Sequence, residues 1–451
     1  MPRYLILPVL FVTAVAPLAA QTTPFTKVAD TATPIPGGAG NFAGFSNMIS
    51  VDASGKVAFY ASDDNTDAGI YLWTAGVVTL VADTDTAIPD GTGTFNNFSF
   101  FGNGIEDGRL AFRGSEVLPP DTFLQNGVYA FAEGNFLKIA DKNTPIPSGT
   151  GNFTTFTTAY VDGTDYAFIA SGDSSQQGIY VSNGTTLTKI ADKTTAVPGI
   201  GGTYGWSSQL GFDDGNLAFW SGVTGGSNPG DIIGGYTPGG GLVTLASTAT
   251  VVPGVGTNFT SFSSPADLSG TTVAFRGNYS GGSGIYTMDL AGGAITSLAN
   301  TSMLVPFGTG TFTNFSPPSI FGDEIAIRGV FNSGSGIYLH QNGRLRPVIT
   351  TSDRLDGKEI TVLSISENAL ADGFLAFRAD FVGGSTGIYR LTIADLLDPP
   401  AVSKADETAE LKKEIKSVTS KMKLAKKAGQ TAKVKRFLTK LKKLKKQLRQ
   451  L

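Results

Sequence analysis

Val273-Ala274-Phe275-Arg276-Gly277, followed by Gly284-Ile285-Tyr286, is one of seven copies of a single pattern, and that pattern decides the fold. The first half recurs at Ala58-Phe59, Ala111-Phe112, Ala167-Phe168, Ala218-Phe219, Ala326-Ile327 and Ala376-Phe377, the alanines lying 50 to 56 residues apart. The second half recurs as Gly69-Ile70-Tyr71, Gly127-Val128-Tyr129, Gly178-Ile179-Tyr180, a worn Gly235-Tyr236, Gly336-Ile337-Tyr338 and Gly387-Ile388-Tyr389. A period of about 50 residues marks a propeller, solenoid or array, and is read before local structure.

Each unit divides into four short strands, here lettered A to D in chain order. B is the Ala-Phe run and C the Ile-Tyr run. D is a run such as Val77–Ala82, and A is the weaker stretch before B, such as Asn47–Val51. Aromatic and β-branched residues fit a pleated, half-buried surface. D is apolar at both alternating positions, which predicts packing on both of its faces. Asp-Gly and Asn-Gly pairs such as Asp107-Gly108, Asp214-Gly215 and Asn342-Gly343 supply the positive φ of tight hairpins. Repeated four-stranded antiparallel meanders build a β-propeller.

The count of strands predicts how the ring closes. A D-like run, Lys27-Val28-Ala29-Asp30, precedes the first A strand, and the seventh unit has no D strand of its own. An open ring leaves two unpaired edges. Residues 25–30 are therefore expected beside strand C of the seventh unit. The fold class expected is all-β, a seven-bladed propeller closed by its N-terminal strand, followed by a basic α-helical hairpin or coiled coil.

Residues 1–20 read as a signal peptide, with Arg3 before an apolar run from Tyr4 to Ala16 and Pro17-Leu18-Ala19-Ala20 as the expected cleavage site. Residues 21–397 form the propeller, 398–404 a Pro-containing linker and 405–451 a basic amphipathic tail. The chain has no cysteine, and a ring of this size can bury a core without disulfides. Net charge of −3 hides a division: residues 21–403 carry 16 basic and 33 acidic side chains, residues 404–451 carry 17 and 4. In the tail Leu411, Ile415, Val418, Met422 and Ala425 form one heptad seam, and Val434, Phe437, Leu441, Leu444, Leu448 and Leu451 a second. They change phase at Ala428-Gly429-Gln430, where glycine can cap a helix.

Catalytic residue types are scarce. One histidine, His340, at a C–D turn, poorly supplies a metal centre or a Ser-His-Asp triad. No catalytic residue, metal ligand or cofactor is assigned. Asp63-Asp64-Asn65-Thr66-Asp67 is acidic enough for calcium but lacks the EF-hand spacing. The long D–A loops repeat a Pro-Gly excursion with two aromatics, as in Ile88-Pro89 through Phe95 and Phe98, and share one face of the ring with the B–C loops. That decorated face is the expected functional surface. On it lie Arg113, Arg276, Arg328 and Arg378, able to grip anionic groups or else to lock loop carbonyls, and the fourth unit's Tyr204, Trp206 and Trp220, a possible sugar platform or else filling. The tail lysines and arginine at Lys433, Lys435, Arg436, Lys440, Lys442, Lys443, Lys445 and Lys446 mark an anionic partner: an envelope polymer, lipid headgroups or the protein's own acidic ring. Nucleic acid fits less well, because Phe437 is the tail's lone aromatic.

The unit Ala-Phe-Arg-Gly, Gly-Ile-Tyr, Ile-Ala-Asp, Thr-Pro-Ile-Pro-Gly resembles repeats of uncharacterised secreted bacterial proteins, some ending in a C-terminal sorting signal. The resemblance spans roughly residues 25–396 and implies a bacterial envelope setting and no particular activity. Here a basic segment stands where a sorting signal's apolar helix would be. The sequence thus points to a secreted, non-catalytic propeller that binds a polymer or protein on its loop face, with the tail as tether or oligomerisation element. Two alternatives stand beside it: a polysaccharide-cleaving hydrolase or lyase, marked by paired carboxylates on the loop face, and a structural envelope protein assembled through its tails.

Overall fold

Alternation and turn chemistry drive each unit into an antiparallel meander. The computed structural model describes residues 24–63, 68–99, 104–118, 122–172, 176–205, 209–226 and 230–396, and individual positions between 412 and 445. The expected leader (1–20), the linker (398–404), Trp206 and most of the Asp63–Asp67 stretch lie outside the described residues.

Seven sheets follow one another along the chain, six with their strands in sequence order and the seventh completed by the chain's first strand. Blade 5 shows the unit plainly: Phe259–Ser269, Thr272–Tyr279, Gly282–Asp289 and Thr296–Asn300. Each blade packs on the next through its A strand, and blade 7 packs on blade 1, so the ring is closed and the A strands lie innermost. The closing strand, Phe25–Asp30, pairs antiparallel with Thr386–Thr392, from Phe25 opposite Leu391 to Asp30 opposite Gly387, with a one-residue bulge at Val28. The predicted closure is what the structure shows.

Packing explains the repeated residues. The Phe of strand B and the Tyr of strand C are fully buried, and they stack in pairs such as Phe275–Tyr286, 5.7 Å apart. The glycine two residues before that Tyr is obligatory, since the ring folds back across it. A Cβ on Gly284 would lie 2.7 Å from the Tyr286 hydroxyl and 2.7 Å from the Ala299 carbonyl. The loop aromatics fold inward over the same core: Phe259 meets Tyr286 edge-on at 5.0 Å and Phe262 at 4.9 Å. The loop itself is pinned by the residue ending strand D. Asp30, Asp141 and Asp192 each accept from the hydroxyl of the threonine three residues on, which ties off the turn.

Two sequence expectations change. Strand D is not packed on both faces: in Val77–Ala82 only Val81 and Ala82 are buried, and Val77 is 61% exposed. D is each blade's outer edge, where the wedge between neighbouring blades opens. In blade 4, Gly235-Tyr236 is not the worn copy of the Gly-Ile-Tyr element. Phe219 faces Gly234 on the rung where Phe275 faces Tyr286, so the tyrosine has become glycine. The Phe219 ring takes up that room, 2.7 Å from where a Gly234 Cβ would stand.

Leu397–Leu451 forms a separate compact unit, helical at its described positions. Val418, Leu441 and Leu444 are buried together, with Ile415, Met422 and Phe437 packed against them, so members of both heptad seams meet in one cluster. Among the described residues no helix is long and apolar enough to cross a membrane.

Candidate functional site

On the loop face the four arginines tie strands and blades together. Arg378 makes a two-pronged pair with Asp380 (2.8 and 3.0 Å) and also donates to Asn47 of blade 1. Arg276 donates to Ser263 and, at 2.8 Å, to Asn314 of blade 6. Arg328 donates to the Leu363 carbonyl of blade 7, and Arg113 to Asn126 and Asn97 within blade 2. Three of them therefore reach the inner strand of the next blade from one shared rung, and all four are half-buried. Burial pulls the guanidinium pKa of Arg113, Arg276 and Arg328 downward. Trp220 holds the same rung in blade 4, opposite Ile233 as Arg276 is opposite Ile285. It is half-buried against blade 5, with its indole N–H buried and unpartnered. Tyr204 is 1% exposed and edge-on to Phe219, as a filler of the core.

The more strongly perturbed groups lie elsewhere, along the axis and toward the tight-turn face. An inner strand presents a row of unpaired backbone N–H groups to the axis. Blades 1 to 6 each close the edge of the next with a side chain, and at blade 1 the Val51 N–H is met by the Asn368 carbonyl of blade 7. Asp52, just past its A strand, and Glu106, Asp162 and Asp213, each ending an A strand, accept from the turn N–H of Gly108, Gly163, Gly215 and Gly270; Ser269 does so from Gly322. Two residues deeper the pattern repeats: Tyr160, Asp267 and Ser319 accept from Leu210, Ile320 and Leu370 of the following blade. Deeper still, Gln209 of blade 4 reaches across the axis and donates to Glu367 of blade 7 at 2.9 Å.

This stitching concentrates carboxylates of blades 2 to 5. Burial pushes Glu106 up to about 7, and the charges of Asp162, Asp107 and Asp213 add to it, against the Gly163 N–H. Burial and the nearby Asp162 likewise raise Asp213. Asp267 is raised well above the ordinary range by complete burial, with Glu367 and Asp213 pressing the same way, although both its oxygens accept backbone N–H groups. Among the described residues no lysine or arginine pairs with Glu106, Asp162, Asp213 or Asp267. Nor does any group of three His, Asp or Glu side chains there suit a metal ion. The readable signal was the residue at the end of strand A, acidic in blades 1 to 4 and Ser269, Phe321 and Ala371 in blades 5 to 7.

A pH dependence follows. A carboxylate whose folded pKa lies above its unfolded value destabilises the fold wherever the unfolded form is ionised. For Glu106 that penalty grows as pH rises from about 4.5 to about 7 and is complete above. Against the upward push of burial, Lys189, Thr194 and Thr195 hold Asp192 at about 2, so its contribution is lost only below about pH 4. Thermal melts should therefore show greatest stability near pH 5 and a fall toward pH 8. Glu106→Gln keeps the acceptor for Gly163 and should flatten that fall by on the order of 1 kcal/mol, allowing for solvent screening. An unchanged slope in the variant would contradict the assignment.

A model described as Family of unknown function (DUF7453) matches residues 18–396. No relative is found among curated proteins. Similar solved structures include the β-propeller domain of the Trilobed protease from Pyrococcus furiosus, 11% identical, covering 80% of this chain and 100% of that one at a TM-score of 0.45. A chain from a structural and mechanistic analysis of two prolyl endopeptidases matches at 12% identity and TM-score 0.47, over 78% of this chain and 47% of that one, so this chain spans about half its length. The polysaccharide lyase Uly1 matches at 10% identity and TM-score 0.41, over 82% of this chain and 98% of its own.

Proposed function

We propose, on the premise that the chain belongs to the DUF7453 family of unknown function, that its ring is a non-catalytic extracytoplasmic binding module. The lysine-rich C-terminal segment is its electrostatic tether to an anionic envelope polymer or lipid headgroup. The carrying observation is the division of charge, net −17 over residues 21–403 and net +13 over residues 404–451. The described tail geometry supports it: Lys435, Lys440, Lys442 and Lys445 are exposed while Leu441 and Leu444 are buried. Lys433, Arg436, Lys443 and Lys446, which lie outside the described residues, are assigned to the same basic surface from the sequence, and pairing of the two seams, as hairpin or coiled coil, would present it.

The non-catalytic reading draws support from the carboxylates. A glycoside hydrolase needs an accessible pair of carboxyl groups flanking the scissile bond. Asp267 and Glu367 are instead buried at the axis. The loop face, with Trp220, is then the surface offered to a glycan or protein partner.

The test compares the mature chain with one ending at Asp398 for retention on an anionic polymer and on vesicles containing anionic lipid. A basic residue close to an anionic surface contributes about 1 kcal/mol, so losing even three weakens binding by about a hundredfold. Retention is expected to vanish on truncation and to fall steeply with salt in the longer chain. Equal retention of the two chains would sink the tether.

A further inference from the structure

Between blades 5 and 6 a cavity of about 310 Å³ opens at the tight-turn face, lined by Thr272, Thr287, Ile320, Asp323, His340 and Asn342. The repeat shows what such a space can hold, because the equivalent place between blades 7 and 1 is filled. There the Arg390 guanidinium lies over two rings, 4.8 Å from the centre of Trp73 and 4.6 Å from that of Phe374, and donates to the Gly55 carbonyl at 2.8 Å.

The strand ladders put the two places in register. Arg390 faces Ala376 as Thr287 faces Ala274. Trp73 faces Val57 as His340 faces Ile325. Phe374 opens strand B of blade 7 as Thr272 opens that of blade 5, and Gly55 stands two residues before Val57 as Asp323 stands two before Ile325. Between blades 5 and 6 the built-in cation has thus become a threonine and the two rings an imidazole and a hydroxyl. The turn glycine has become a carboxylate. Three of the changes remove bulk or positive charge, and the fourth adds a negative one.

The imidazole is the second pointer. His340 Nδ1 is buried and has no hydrogen-bond partner. Burial lowers the His340 pKa, favouring the uncharged imidazole, in which one ring nitrogen is an acceptor. An unpartnered buried polar atom is costly unless something occupies the space beside it. An apolar packing defect would stay dry and inert; this one carries a carboxylate, two hydroxyls, an amide and an imidazole.

We propose that the pocket between blades 5 and 6 takes a guanidinium group from outside the chain, occupying the space that Arg390 fills between blades 7 and 1. Asp323 supplies the charged acceptor, and His340 with the two threonines supplies neutral ones. The group comes either from an arginine side chain of a partner protein or from a small guanidino compound. This site is independent of the tether, which concerns the C-terminal segment.

The chain's single histidine gives one imidazole signal by NMR, a direct reporter. Full-length protein is titrated with N-acetyl-arginine N-methylamide, with free arginine and with N-acetyl-lysine N-methylamide. The capped arginine is expected to shift the His340 signal saturably, and the lysine compound to bind at least about tenfold more weakly, lacking the planar donor fork. Asp323→Asn, at an exposed turn, should weaken the arginine compounds by about tenfold or more through loss of a charged hydrogen bond. Thr287→Arg should abolish binding by filling the space in cis, with thermal melts confirming that both variants fold. Tighter binding of free than of capped arginine identifies a small guanidino compound; equal or weaker binding identifies a protein side chain. The proposal is overturned if neither arginine compound gives a saturable shift, if the lysine compound binds equally well, or if Thr287→Arg binds like the parent.

Discussion

A chain lacking Phe25–Asp30 is expected to lose cooperative folding or to melt far below the intact protein. Val28 and Ala29 are buried in a cluster that also holds Ala376 and Ile388 of blade 7 and Phe42 of blade 1. Phe25 packs edge-on against Phe377 at 5.5 Å, and Lys27 joins Asp30 (3.0 Å) to Asp356 (3.3 Å). Burying each large apolar side chain contributes about 1.5–3 kcal/mol, and each ladder hydrogen bond about 0.5–1.5. Their sum is comparable with the whole stability of an ordinary domain, about 5–15 kcal/mol. The loss would also leave Thr386–Thr392 as an apolar edge open to other chains. Thermal melts with size-exclusion chromatography check this. Ala29→Asp, which buries an unpaired charge at a fully enclosed position, should reproduce much of the defect without a deletion. A truncated chain that melts cooperatively at the parent temperature would contradict the role given to this strand.

The second large effect concerns the loop plug. Phe259 is 2% exposed, in contact with Phe262, Phe275 and Tyr286. Phe259→Ala should cost about 3–5 kcal/mol by opening a cavity in a rigid core. Gly277 lies beneath the same ring, and a Cβ there would stand 2.4 Å from Phe259 Cε1. Gly277→Ala should therefore cost about 1–3 kcal/mol by overpacking. Combined, the added methyl occupies part of the space the lost ring vacates, so the double variant should be less destabilised than the sum by about 0.5–3 kcal/mol. Denaturant titration of the three variants measures this coupling, and strict additivity would mean that ring and glycine do not meet.

These contacts explain what the sequence displayed and what it hid. The ring was legible because Ala274, Phe275, Gly284 and Tyr286 and their copies meet the same neighbours in nearly every blade, so each copy keeps the same residue for the same steric reason. Closure was legible by counting strands. Strand A was the faintest, and its carboxylates were missed, because its side chains serve the next blade's backbone edge, where Asp52, Tyr160 and Ser319 do equivalent work with different chemistry. The arginine rung was visible, but its partners were not, since Asn314 and Asn47 lie on other blades. Blade 4 was misaligned because its tyrosine is gone. The cavity between blades 5 and 6 appears only when Thr287 and His340, which lie on different blades, are set beside Arg390 and Trp73.

The most direct test of the closed ring is amide hydrogen exchange followed by mass spectrometry, comparing residues 25–30 with 386–392 in the full-length protein. A closed ring predicts that the two segments are protected alike and open together with the whole ring. Rapid exchange of residues 25–30 while 386–392 and the other blades stay protected would contradict it.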